Sequence, residues 1–140
     1  MLGEEPDLQF VADEMKILWT KLSFLAPFAL TTTAAGLTIG EVNSDPAWRK
    51  RLEAVAHEVA AVGTASGTPL DASTIISFFD KTPQGGRSSM QKDVAAGKPP
   101  EIDGIAGPIL RRAEEHGIDV PVTRELVEMI RGKSAGANKG

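Results

Sequence analysis

Residues 87–121, RSSMQKDVAAGKPPEIDGIAGPILRRAEEHGIDVP, read as helix, stop, helix, stop. Ser88 and Ser89 are short hydroxyl residues of the kind that caps a helix start, and the run behind them reaches Ala96 before Gly97 ends it. Pro99-Pro100 holds the backbone extended ahead of Glu101. The spacing then predicts a helix over 102–115, with Gly117 as its C-terminal cap and Pro121 opening another helix through Ile130.

Working upstream, Val11, Met15, Leu18, Leu22, Leu25 and Phe28 recur at helical spacing over Leu8–Leu30. Pro27 is expected to kink or break that helix near its end, with a bend at Ala34-Ala35-Gly36. Asp45 and Pro46 open a second helix with an apolar stripe of Trp48, Leu52, Val55, Val59 and Val62. A third follows Asp71, over Ala72–Phe79, and Lys81–Gly86 reads as a turn-rich loop. The expectation is an all-α, multi-helix bundle of about six helices in one domain over 8–131, between a flexible N-terminus at 1–7 and a disordered tail at 132–140.

The bulk numbers narrow the function. The net charge of -4, with basic residues scattered among acidic ones, argues against nucleic acid as a partner. Aromatic residues make up 5%, with no Tyr, too few for a base-stacking platform. No run approaches the length of a membrane span, and MLGEEPD is not a signal peptide. The absence of Cys removes disulfides, thiolate metal sites and a Cys nucleophile, and fits a cytoplasmic setting. Helices this apolar pack against something further, either another domain or a second copy.

Each candidate residue carries a bland reading beside a chemical one. Lys21, inside an apolar helix beside Trp19, Leu22 and Phe24, is either a snorkelling surface residue or an amine in a cleft, able to polarise a carbonyl and donate a proton. Glu101 is either a carboxylate answering a helix dipole or a ligand-binding group. Ser88 and Ser89 are N-cap residues, or hydroxyls that hold a substrate carboxylate. His57 and His116 have no partner at metal-ligand spacing, so no metal site is expected. Gly132-Lys133-Ser134 ends like a phosphate-binding loop, but Val127 stands where that loop needs glycine. No G-x-G-x-x-G occurs, so the chain shows no dinucleotide fingerprint of its own.

Taken together and in order, several pieces resemble the C-terminal domain of the ketopantoate reductase (2-dehydropantoate 2-reductase) family. Trp19-Thr20-Lys21-Leu22 resembles its W-x-K-L segment, and EVAAVGTASG at 58–67 its E-x-x-x-V-A-x-A-x-G helix. Ser88-Ser89-Met90 with Asp93 resembles S-S-M-x-x-D, and Gly97 with Glu101-Ile102-Asp103 resembles G-x-x-x-E-I-D. Gly107, His116-Gly117 and Val120-Pro121 match the closing pattern.

The resemblance implies a 6-phosphogluconate dehydrogenase C-terminal-like fold and an NADPH-dependent oxidoreductase of pantothenate biosynthesis, reducing a small 2-keto acid to a 2-hydroxy acid. It implies Lys21 as the catalytic lysine, Ser89 as a ligand for the substrate carboxylate, and Glu101 as an acceptor for a substrate hydroxyl or the cofactor ribose. The NADPH is then held mainly by an N-terminal Rossmann domain that this chain lacks, so the chain alone is expected to be inactive, and MLGEEPD reads as the start of a fragment. Where the family carries asparagines, this sequence has Leu25, Ala29 and Ala106. Those replacements put ketopantoate itself in question and favour a more apolar 2-keto acid. They also motivate the alternative of a non-catalytic helical dimerisation or protein-binding module that kept the fold.

Overall fold

A computed structural model describes the backbone of residues 4–139 and the side chains of residues 11–133. Within them the chain is all-helical, with eight helices: α1 (Glu4–Ala35), α2 (Ile39–Ser44), α3 (Pro46–Ala65), α4 (Ala72–Lys81), α5 (Ser89–Ala95), α6 (Ile102–Ile105), α7 (Gly107–His116) and α8 (Pro121–Lys139). The expected termini at 1–7 and 132–140 fall largely outside the described side chains, while the backbone of α8 runs on to Lys139.

Eight helices replace the expected six for two local reasons. The segment after Gly36 folds into α2, begun by a capping box: the Thr38 hydroxyl accepts from the Glu41 amide at 3.2 Å, and the Glu41 carboxylate accepts from the Thr38 amide at 2.9 Å. The single helix expected over 102–115 divides at Ala106, because Pro108 stands at the start of α7 and its missing N–H is tolerated only in a first turn.

Pro27 does not end α1, which continues to Ala35. A proline inside a helix costs about 3 kcal/mol. Burial of a large apolar side chain returns about 2 kcal/mol each, and Trp19, Leu22 and Leu30 are all sealed on this helix. The apolar stripe is rotated from the expected one. Trp19, Leu22, Ala26, Ala29 and Leu30 are buried, Val11 is exposed, and Leu25 and Phe28 lie half-buried at the edge.

Two cores result. The larger joins α1 to Val55, Val59 and Val62 of α3, Ile109 and Ala113 of α7, and Leu126 and Ile130 of α8. The smaller joins Ile39 and Val42 of α2, Leu52 and Ala56 of α3, and Ile75 and Phe79 of α4. Helix α3 serves both, and Trp48 and Leu70 touch both. Arg49 pins the smaller core from outside, donating to Asn43 at 2.7 Å, Asp80 at 2.8 Å and Glu53 at 2.8 Å.

Candidate functional site

Lys21 sits on the exposed edge of α1. Helical spacing puts Ile17 one turn before it and Leu25 one turn after, with Phe28 a further turn along. Across from this stripe, α4 contributes Phe78 and Phe79, and the two helices enclose a groove of about 760 Å³. That volume falls in the range of small-molecule sites, roughly 300–1,000 Å³. The aromatic wall is internally packed: Phe24 meets Phe78 edge-on at 4.8 Å, and Phe28 stacks on Phe79 at 6.3 Å. Lys16 and Lys21 are the ionisable side chains lining the groove. Lys21 makes no hydrogen bond or ion pair with another described residue. It is thus both things the sequence allowed, a solvent-facing ammonium and the cation of an apolar cleft.

The two serines part company. Ser88 is buried and is the N-cap of α5, its hydroxyl accepting from the Gln91 amide at 3.1 Å. It also bonds the Thr32 hydroxyl at 3.1 Å and the Thr33 hydroxyl at 3.2 Å. Ser88 therefore ties α5 to α1 and is not available to a ligand. Ser89 is exposed in the first turn of α5 and is not bonded to another described residue. Thr32 lies eleven residues beyond Lys21, three helical turns and about 16 Å along the axis, so Lys21 and the Ser88 anchor share one face of α1. Ser89 is at the far end of that face and does not line the groove.

Glu101 occupies the N-cap position of α6, yet its side chain makes no capping bond. Its Oε2 folds back over Gly104, 3.2 Å from where a Cβ would stand there. The carboxylate is exposed and uncommitted among the described residues. Its neighbour Asp103 faces solvent and is 3.8 Å from Arg131 of α8. Lys21 belongs to α1, and α5 and α6 both pack on it, but no hydrogen bond or ion pair joins Lys21, Ser89 and Glu101 to one another.

Of the three apolar replacements, Leu25 alone faces the groove. Ala29 and Ala106 are 1% and 0% exposed and belong to the larger core. Only Leu25 therefore bears on the polarity of the groove, and the other two positions are filled by packing. The aromatic wall from α4 is what sequence reasoning missed. Phe78-Phe79 shows in the sequence as a pair, but only the return of α4 onto α1 brings it opposite Lys21.

Two exposed carboxylates, Glu41 and Asp71, have structural work. Hydrogen bonds from the backbone and then the hydroxyl of Thr38 hold the Glu41 carboxyl below its ordinary range. For Asp71, the N-cap of α4, the Ser73 hydroxyl and then the Ser73 amide do the same. His57 and His116 are exposed on α3 and α7, and among the described residues no group of three or more His, Asp or Glu side chains converges on a metal-sized site. No helix among them is long and apolar enough to cross a membrane.

An all-helical domain with a lysine at the edge of an aromatic groove is the class that fold and site define. The family of ketopantoate reductase PanE/ApbA C-terminal domains matches residues 13–134, and the chain belongs to it. It is 32% identical over 119 residues to a 2-dehydropantoate 2-reductase of Archaeoglobus fulgidus, covering 85% of this chain and 40% of that protein. A 2-dehydropantoate 2-reductase of Shigella flexneri is 31% identical over 134 residues, covering 93% and 43%. The crystal structure of a PanE/ApbA family ketopantoate reductase from Ralstonia eutropha superposes with a TM-score of 0.77 at 29% identity, covering 86% of this chain and 41% of the other. The chain therefore spans about two fifths of the length of the curated relatives it matches.

Proposed function

We propose that this chain is the substrate-side half of an NADPH-dependent reductase that converts a small 2-keto acid to a 2-hydroxy acid, within the 6-phosphogluconate dehydrogenase C-terminal-like architecture. The observation that carries the reading is the uncommitted ammonium of Lys21 at the mouth of a ligand-sized groove, at the lysine of the W-x-K-L segment. When bound on a partner domain, NADPH supplies the hydride that reaches the ketone carbon.

The residues of this chain do the rest. Lys21 donates a hydrogen bond to the ketone oxygen, holds the negative charge that grows there, and gives up a proton from Nζ to complete the hydroxyl. A lysine ammonium suits both roles, because its three donors rotate freely on a flexible stem. Ser89, outside the groove, is the proposed donor to the substrate carboxylate, a contact that requires the acid to lie between the groove mouth and the start of α5. Glu101 is the proposed acceptor for a hydroxyl of the substrate or of the cofactor ribose, which its exposed and unpaired carboxylate fits.

The test joins this chain to the nucleotide-binding domain of a 2-dehydropantoate 2-reductase relative and follows loss of the reduced nicotinamide absorbance with 2-keto acids. Turnover that Lys21→Ala lowers by about two orders of magnitude or more, with the fold intact, supports the reading. Equal turnover in the variant overturns it.

The alternative module reading has one observation in its favour. Ile17 is 68% exposed and Phe78 48%, on the two helices that flank the groove. It predicts a concentration-dependent oligomer that Leu25→Asp dissociates. A monomer at every concentration ends it.

A further inference from the structure

The groove does more than house an amine, and its chemistry selects among acids. Resting on the reading above, we infer that Leu25, with Phe24, Phe28 and Phe78, forms a receptor for a large unhydroxylated side chain on the 2-keto acid, branched alkyl or aryl. Three observations converge on this. Leu25 is one helical turn from Lys21 and on its face, so a group attached to a carbonyl held by Lys21 falls against Leu25. Beyond Leu25 the wall consists of phenylalanine rings from both helices, already packed against each other at 4.8 Å and 6.3 Å, and so formed before any ligand arrives. Finally, only four of the ten lining residues are polar, Lys16, Thr20, Lys21 and Thr82, and none of them is next to Leu25 in the sequence. The Thr20 hydroxyl donates to the Lys16 carbonyl at 2.8 Å, and Lys16 is itself exposed.

The physical consequence is asymmetric. A hydroxyl on the substrate side chain leaves water to enter this groove and finds no committed partner at Leu25. A methyl or phenyl group loses nothing polar and gains contact with Leu25 and the rings. An apolar site rejects an added hydroxyl by up to about a hundredfold, whereas a site built to bond that hydroxyl rejects the analogue lacking it far more strongly. The sign of the preference therefore reports which kind of site this is.

The experiment uses the intact chain and a matched pair of acids, trimethylpyruvate and its singly hydroxylated analogue ketopantoate, with benzoylformate as the aryl probe. Binding is titrated by the NMR shifts of the Leu25 methyls and the backbone amides of 17–28. Trimethylpyruvate and benzoylformate are expected to bind roughly tenfold or more tighter than ketopantoate. Leu25→Asn should cancel or reverse that order, and Lys21→Ala should weaken all three acids alike. Phe78→Ala, a change at an exposed position, should weaken benzoylformate most, and serves if Leu25→Asn fails to fold. Ketopantoate binding as tightly as trimethylpyruvate, or more tightly, overturns this inference and leaves the reductase reading intact. Failure of every acid to bind, with Lys21→Ala indistinguishable from the parent chain, overturns both.

Discussion

The Glu58 carboxylate of α3 caps α8 through Thr123. Its Oε1 accepts from the Thr123 amide at 2.8 Å and from the Thr123 hydroxyl at 2.7 Å, while Oε2 accepts from the Val122 amide at 3.1 Å. Thr123 itself is fully buried. The first amides of a helix need acceptors, and here they come from a residue 65 positions away in the chain. The negative charge also faces the positive end of the α8 dipole.

Glu58→Ala removes an acceptor for three donors at once. It should destabilise the domain by about 2 kcal/mol or more, since buried donors are left without partners. Glu58→Gln, which keeps one oxygen, should cost less. Denaturant midpoints of the three proteins decide this, and an unchanged midpoint for the alanine variant contradicts it.

The two adjacent serines should behave oppositely. Ser88→Ala loses the α5 cap and strands the Thr33 hydroxyl, while Thr32 keeps its bond to the Phe28 carbonyl, so about 1–2 kcal/mol of stability should go. Ser89→Ala should leave thermal stability within about 0.5 kcal/mol of the parent, as expected for an exposed position, and, on the proposed role, should weaken acid binding instead. Paired melting and titration curves separate the two effects.

Gly40→Ala should loosen the 83–86 loop. A Cβ at Gly40 would stand 2.7 Å from the Gln84 carbonyl oxygen and 2.8 Å from its Cβ, and the same carbonyl accepts from the Gly40 amide at 2.8 Å. Backbone must move to make room, at a cost of about 1–3 kcal/mol. Faster hydrogen exchange at the Gly40 and Ile39 amides, which bond Gln84 and Gly86, is the expected signature.

Strong acidification should weaken the caps of α2 and α4. The Glu41 and Asp71 carboxyls are depressed in the folded state, so they stabilise it above the ordinary carboxylate range and lose that contribution as pH falls through their lowered values. Stability followed by circular dichroism should decline below the usual range of carboxyl titration. The decline should be shallower in Glu41→Gln and Asp71→Asn.

Much of this architecture was legible. Asp45-Pro46, Asp71, Gly97, Gly117 and Pro121 mark helix ends where the structure has them, because capping chemistry is local. Helix α2 was legible too, since Thr38 and Glu41 stand at capping-box spacing, but its six residues carry too little periodicity to draw notice. Pro27 does not break α1 because its cost is local while the burial that offsets it is tertiary. At the site, Lys21 could be singled out by its apolar neighbours. The fate of Ser88 could not, because its partners are 55 and 56 residues away.

The Lys21 turn of α1 is rooted in the larger core through Trp19 and Leu22, whereas the groove's aromatic wall, Phe24 and Phe28 of α1 with Phe79 of α4, packs on the smaller one. Substitution at Ile75 or Phe79 would therefore reshape that wall from beneath while the lysine keeps its seat.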